Sequence, residues 1–237
     1  MENAGPIPLN SIENLNSLDA AVTLTVNGLI NERPALGDLH GELTMNGPRS
    51  KVAVSGSLLG EIAAQIGGSL VGLFTPRTVD LYKMPDGAYV VVNGLFTFCV
   101  KPQAAKAIAI LDEVSPQRLL QMLTGSDAAY GRLVGETTLN GRLVKHYIID
   151  GEAFLAHARA SSDPHLRTFA AGLWSAQDAN LYVDVAGNYP VAFSGGYSGA
   201  FDPLKFKGLF EVQIALTGVN ANNPVSLPPS CDEPINL

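Results

Sequence analysis

Hydrophobic and polar residues alternate along several stretches of the chain, as they do in strands that bury one face. The turn residues that separate these stretches are mostly Asn, Asp, Gly and Pro. We predict a loop at 31–38 and a loop from 218 onward. The alternation predicts strands at 18–30, 39–45, 51–55, within 78–100, and at 180–185, 190–197 and 209–216.

One hairpin can be predicted in detail, over residues 131–150. Asn140 and Gly141 suit a two-residue turn because both tolerate the positive φ that a type I′ turn requires. Counting outward from the turn predicts which residues face each other. The expected pairs are Thr138 with Leu143, Glu136 with Lys145, and Val134 with Tyr147.

Helical spacing appears between these strands. Residues 58–74 carry apolar side chains at steps of three and four, which predicts one broad apolar helix face. Residues 115–123 begin with Ser115 as N-cap and Pro116 in the first helical position. Further helices are predicted at 101–114, 152–160 and 163–174. Antiparallel strand groups with helices inserted between them indicate an α+β fold.

Composition and net charge limit the classes of function that the protein can have. The chain has 237 residues, of which 46% are hydrophobic, and a formal net charge of −7. That charge argues against a nucleic-acid partner, which would require a basic surface. The N-terminal segment lacks the features of a signal peptide. We expect a flexible lead at 1–17 that follows a removed export or lipidation segment, one domain at 18–217, and a Pro-rich tail at 218–237.

The two cysteines allow two interpretations. Cys99 lies in an apolar run, and Cys231 lies in the Pro-rich tail. A disulfide between them would hold the tail against the sheet and would place the protein outside the cytoplasm. The alternative is two unrelated free thiols.

Catalytic motifs are not recognisable in the sequence. The string from Gly196 to Ala200 lacks the last glycine of a nucleophile elbow, and no phosphate-binding glycine loop is present. His146 is expected to be a partly buried structural residue. His157, Asp163 and His165 have a spacing that matches no strong metal-ligand motif. We therefore predict no catalytic residue, no metal and no cofactor, although residues from distant strands could still assemble an enzyme site.

An apolar site is the best candidate for a function. Glycines in the 58–74 helix leave gaps that indicate either close packing on a sheet or a cavity for an apolar ligand. The predicted lining residues are Leu59, Ile62, Ile66, Leu70, Phe74, Phe96, Phe98, Leu119, Met122, Leu123 and Phe169.

Three strings resemble the LppX/LprG family of bacterial lipoproteins and, more remotely, the LolA-like lipoprotein carriers. They are 115–123 (SPQRLLQML), 135–147 (GETTLNGRLVKHY) and 181–191 (LYVDVAGNYPV). The resemblance implies a curved antiparallel half-barrel whose concave face is covered by helices that enclose a hydrophobic cavity. It also implies export and, in many members, an N-terminal lipid anchor. The family supplies no catalytic residues.

The resemblance leads to one functional expectation and one rival. The first is a non-enzymatic protein of the bacterial cell envelope that carries a lipid, a glycolipid or an acylated protein and meets the membrane surface through a removed lipid anchor. The rival is an envelope sensor or interaction domain of the same fold that signals through protein contacts.

Overall fold

The computed structural model describes residues 4–10, 15–60, 76–102, 130–201, 205–221 and 223–236. These residues form two compact units. The first contains 4–10, 24–36, 130–201 and 205–215, and the second contains 15–23, 37–60, 76–102, 216–221 and 223–236. The helix predicted at 115–123 and most of those predicted at 58–74 and 101–114 lie outside the described residues. The helix predicted from Lys101 does not begin there, because Lys101 is the last residue of a strand.

Fourteen strands and two α-helices are found within the described residues. The strands are β1 (Gly5–Pro6), β2 (Ser17–Ile30), β3 (Arg33–Asn46), β4 (Arg49–Ser55), β5 (Thr78–Met84), β6 (Gly87–Asn93), β7 (Thr97–Lys101), β8 (Tyr130–Leu139), β9 (Arg142–Ile149), β10 (Leu173–Ala176), β11 (Ala179–Asp184), β12 (Pro190–Phe201), β13 (Phe206–Val219) and β14 (Ile235–Asn236). The helices are α1 (Gly151–Ala160) and α2 (Pro164–Gly172).

In the first unit the strands pair in the order β1-β8-β9-β11-β12-β13-β2-β3, and β10 also pairs with β12. In the second unit the order is β13-β2-β3-β4-β5-β6-β7-β14. Three long strands, β2, β3 and β13, contribute residues to both units. Among the described residues, β14 joins β7 in parallel, whereas hairpins such as β4–β5, β5–β6 and β8–β9 are antiparallel. The predicted α+β class with antiparallel strands is confirmed.

The β8–β9 hairpin confirms most of its predicted register. Thr138 faces Leu143 and Glu136 faces Lys145, and the turn residues Asn140 and Gly141 have φ values of 51° and 77°. The third predicted pair, Val134 with Tyr147, is wrong because a bulge follows Leu133. Leu133 faces Tyr147, and Gly135 resumes the ladder opposite His146. Bulges shift the register by one residue, and spacing alone does not reveal them.

The prediction of a loop at 31–38 is also wrong. The chain turns at Asn31 and Glu32 alone, with φ values of 50° and 64°, and β3 begins at Arg33. Two consecutive residues of positive φ make a tight hairpin turn without the glycine that usually marks it. Pro34 then lies near the start of a strand, where a proline is tolerated.

The helical pair is confirmed, but its second helix ends earlier than predicted. The N-cap carboxylate of α1 is Asp150, which accepts from the backbone N–H of Ala153 at 2.7 Å. Asp163 accepts from the N–H of His165 at 2.8 Å at the start of α2. The chain becomes strand β10 at Leu173, so Trp174 is not helical.

Both chain ends contact the described structure. Within the expected flexible lead, β1 pairs with β8, and Ile7 is buried. Asn10 donates its backbone N–H to the carbonyl of Asn188 at 2.6 Å. At the other end, the tail predicted as loop contains a short 3₁₀ turn at Pro229–Cys231 and strand β14.

Candidate apolar ligand site

Six aromatic side chains of the first unit, from α1, α2 and the paired strands β12 and β13, contact one another. Tyr197 and Phe201 lie on one face of β12 because residues four apart on a strand share a face. Their partners in the register are Phe210 and Phe206, respectively. The cluster, which we call the aromatic cluster, consists of Phe154, Phe169, Tyr197, Phe201, Phe206 and Phe210.

Phe169 of α2 lies against three of these rings. Its ring centroid is 5.8 Å from that of Tyr197, 5.4 Å from that of Phe201 and 6.3 Å from that of Phe210. The contacts with Tyr197 and Phe210 are edge-to-face, the arrangement that the quadrupole of an aromatic ring favours.

Four rings of the aromatic cluster are buried and two are partly exposed. Phe154, Tyr197, Phe206 and Phe210 are buried, whereas Phe169 and Phe201 are only half-buried. Burial raises the pKa of the Tyr197 hydroxyl far above its usual range, so Tyr197 stays neutral. The cluster therefore presents apolar, uncharged surface at the side that Phe169 and Phe201 form.

Gly199 brings the end of α2 close to β12. A Cβ atom at Gly199 would lie 2.5 Å from the carbonyl oxygen of Gly172 and 3.0 Å from the Cα of Leu173. Glycine is thus required for this approach. The guanidinium of Arg159 also donates to the carbonyl of Leu173 at 2.8 Å, which ties α1 to the residue after α2. These contacts hold Phe169 in position over the strands.

The other predicted lining residues are placed as follows. Leu59 is buried just after β4, Phe98 is half-buried on β7, and Phe96 is 71% exposed in the turn between β6 and β7. Their membership in one cavity wall stays a prediction. The residues outside the described part of the chain are Ile62, Ile66, Leu70, Phe74, Leu119, Met122 and Leu123.

A groove of about 310 Å³ is present in the second unit, and its chemistry differs from that of the predicted cavity. Its lining includes the carboxylates of Asp19 and Glu42, and Asn223 donates its side-chain N–H to Asp19. The lining residues are Asp19, Ala20, Ala21, Glu42, Leu43, Thr44, Thr217 and Asn223. Such a polar wall does not suit an acyl chain.

The disulfide predicted between Cys99 and Cys231 is confirmed, with an S–S distance of 2.04 Å. Both half-cystines are buried in a small hydrophobic cluster to which β5, β6, β7 and the tail contribute. Beyond the bridge, Ile235 and Asn236 of the tail pair with Val100 and Lys101. The disulfide thus connects the tail to β7.

His146 and His157 each contact a neighbouring tyrosine ring. His146 is half-buried, bonds Asn180 through Nε2 at 2.8 Å and stacks on the ring of Tyr182. His157 contacts the ring of Tyr130 at a centroid distance of 4.8 Å. Within the described ranges, no three metal-ligating side chains come together, and no helix is long and apolar enough to span a bilayer.

A polar chain around His40 was not foreseen from the sequence. His40 pairs with Asp38 at 2.6 Å, and its other ring nitrogen lies 3.3 Å from the Thr23 hydroxyl. The hydroxyl of Ser57 donates to Asp38 at 2.9 Å. Thr23 lies on β2 and His40 lies on the neighbouring strand β3, and the sequence alone does not predict that these strands pair. His40 and Asp38 are well exposed, so the chain lies at the surface.

Comparison with known proteins gives likenesses only among solved structures, since no family model and no curated protein matches the chain. The structure is similar to LprF from Mycobacterium bovis. The identity is 12%, the likeness covers 92% of this chain and 90% of that one, and the TM-score is 0.42. The structure also resembles PNGF-II, with 6% identity, a TM-score of 0.28 and coverage of 92% of this chain and 30% of that one.

Proposed function

We propose that this protein is a non-enzymatic lipid-binding protein of the bacterial cell envelope that holds acyl chains against an apolar wall. The observation that carries the proposal is the partial exposure of two rings of the aromatic cluster, where Phe169 and Phe201 leave apolar ring surface in reach of a ligand. An acyl chain placed there would gain about 0.8 kcal/mol for each CH₂ group removed from water.

Two further features support the proposal. The Cys99–Cys231 disulfide is typical of proteins that work outside the cytoplasm, where the cell envelope lies. The three sequence strings resemble the LppX/LprG lipoproteins, whose fold implies a cavity for acyl chains. A wall of aromatic and aliphatic side chains binds by burial of apolar surface and needs no reacting group. We therefore expect a carrier, with the other predicted lining residues, apart from the exposed Phe96, completing the wall.

The experiment that tests the proposal is native mass spectrometry of the purified protein, combined with analysis of an organic extract. Discrete acyl-lipid adducts of defined stoichiometry are expected. A mass that stays free of adducts after incubation with phospholipids would contradict the proposal and would favour the sensor alternative.

Three substitutions by tryptophan test where the ligand binds. Phe169→Trp enlarges a partly exposed side chain of the aromatic cluster, and we expect the lipid affinity to fall about tenfold because the added ring occupies ligand space. Ile66→Trp tests the predicted wall in the same way. Leu36→Trp is the matched control, since Leu36 is 78% exposed on β3 and should leave the affinity unchanged. If all three folded variants had the same lipid affinity, the ligand would not bind at this wall.

A further inference from the structure

The turn between β6 and β7 carries two adjacent apolar side chains on the surface. Leu95 is 86% exposed and Phe96 is 71% exposed, which makes them two of the most exposed large hydrophobic residues within the described part of the chain. Single exposed apolar residues are common on proteins, but neighbouring ones at the end of a hairpin are a candidate contact surface.

Hydrogen bonds hold the backbone of this turn in one conformation. Gly94 donates its N–H to the carbonyl of Phe96 at 3.1 Å, and Arg77 donates its N–H to the carbonyl of Asn93 at 2.7 Å. The side chain of Asn93 donates to the hydroxyl of Thr78 at 3.0 Å and accepts from that of Thr97 at 3.2 Å. The apolar pair is thus presented without a further ordering of the turn, which lowers the entropic cost of binding.

The area of the pair decides which partner it fits. A stable protein interface removes about 800 Å² from each partner. Leu95 and Phe96 together supply about 300 Å². The pair alone therefore falls short of a protein interface, whose remaining area would have to come from the polar groups around the turn. A lipid bilayer needs no complementary surface, because its interface accepts any apolar side chain that reaches it.

The surroundings of the pair also suit a membrane surface. Asn93, Thr78 and Thr97 surround the turn with hydroxyl and amide groups, which can meet lipid headgroups. The segments 76–78 and 93–97 contain one charged residue, the exposed Arg77, which is positive. Cations near the surface of anionic bilayers are favourable, so the local charge assists contact even though the whole chain is acidic.

We propose that the β6–β7 turn docks the protein on a lipid bilayer by inserting Leu95 and Phe96 into the interface. This inference goes beyond the proposed ligand, because the turn would dock whether or not an acyl chain occupies the aromatic cluster. It assigns a membrane-contact role to Phe96, which the sequence had placed in a cavity wall.

Vesicle flotation of the full chain tests the docking, with vesicles of phosphatidylcholine and phosphatidylglycerol. We expect the wild type to float with the vesicles and the double variant Leu95→Ser, Phe96→Ser to lose at least about tenfold in partitioning, because two apolar side chains no longer leave water. Leu36→Ser is the matched control, since it removes another exposed leucine from a different strand. It should float like the wild type.

A spectroscopic readout does not depend on the double variant. Phe96→Trp in a Trp174→Phe background places the only tryptophan at the turn, and its emission should shift to the blue on adding vesicles. An emission that does not move, or equal flotation of the wild type and the double variant, would overturn the docking. A concentration-dependent dimer that the double variant abolishes would overturn it in favour of a second copy. Lipid adducts in native mass spectra are measured separately, so docking and ligand binding can fail independently.

Discussion

The two units of the molecule stabilise their cores in different ways. The first unit packs six aromatic rings from α1, α2 and two long strands, and both cysteines of the chain lie in the other unit. Around its disulfide, the second unit has a small hydrophobic cluster of two tyrosines, two valines and the two half-cystines, separate from other buried residues such as Leu18 and Leu43. So small a cluster removes little apolar surface from water, and a disulfide commonly compensates for this. The difference indicates that the tail belongs to the second unit because the disulfide holds it there.

Breaking the disulfide is the change with the largest expected effect. Cys99 and Cys231 are separated by 132 positions, and a bridge over such a loop contributes about 4–5 kcal/mol in the chain-entropy model. We expect Cys99→Ala with Cys231→Ala to lower the free energy of unfolding by about that amount. Urea denaturation of the oxidised wild type and the double variant measures the loss.

Reductant provides the control for this comparison. The reduced wild type should resemble the double variant, and reductant should leave the double variant unchanged. Hydrogen exchange should rise first at the tail, where Ile235 and Asn236 pair with β7. If the tail stayed protected in the double variant, the apolar packing of Val225 would hold it without the bridge, and the contrast between the two units would fail.

Local features of the fold could be predicted from the sequence more easily than contacts between distant parts of the chain. The β8–β9 turn was predictable because Asn140 and Gly141 provide the positive φ that the turn requires. The turn at Asn31 and Glu32 was not, since neither residue is glycine and a turn prediction relies on residue type. The disulfide was one of two readings, because burial of both cysteines depends on contacts between distant parts of the chain.

Removing an aromatic ring from the first unit should have the next largest effect. Phe154 is 2% exposed on α1, and its ring centroid lies 5.7 Å from that of Tyr197. Phe154→Ala leaves a cavity that the neighbouring rings fill only in part, so we expect a loss of about 3 kcal/mol. Urea denaturation followed by the fluorescence of Trp174, the single tryptophan of the chain, measures this loss in the unit that contains it.

Phe96→Ala is the matched control for this substitution. The same ring is removed, but Phe96 is 71% exposed, and we expect a change below about 0.5 kcal/mol. The loss from Phe154→Ala should also be the same with and without reductant. A loss in Phe154→Ala as small as that of the control would show that the aromatic cluster contributes little to the first unit.

The candidate site was predictable only by residue type. Phe169 and Phe96 cannot be distinguished by the sequence pattern, because each is an apolar residue near other apolar residues. In the structure, Phe169 contacts the aromatic cluster, whereas Phe96 is exposed to solvent. The difference arises from pairing. Tyr197 and Phe201 meet Phe210 and Phe206 only because β12 and β13 pair in one register, which no local pattern specifies.

The smallest expected effect is a pH dependence of the free energy of unfolding, which arises at Asp86 and Tyr89 of the second unit. The two buried tyrosines Tyr89 and Tyr197 differ in their surroundings. Tyr197 lies among apolar rings, whereas Tyr89 donates its hydroxyl hydrogen bond to Asp86. That bond, with help from Lys101, holds the pKa of Asp86 below its usual value of 3.8. The folded state therefore binds fewer protons than the unfolded state as the pH falls through this range. The stability from Asp86 is present above about pH 4 and is lost below it.

Asp86→Asn should remove this dependence. We expect the urea midpoints of the wild type and the variant to differ near neutral pH and to converge as the pH falls below the usual pKa of an aspartate. Tyr89→Phe keeps the ring in the core and deletes the hydroxyl, so it should weaken the same acid dependence while leaving the carboxylate in place. If Asp86→Asn kept a constant offset from the wild type down to the lowest pH, Asp86 would act through something other than its charge.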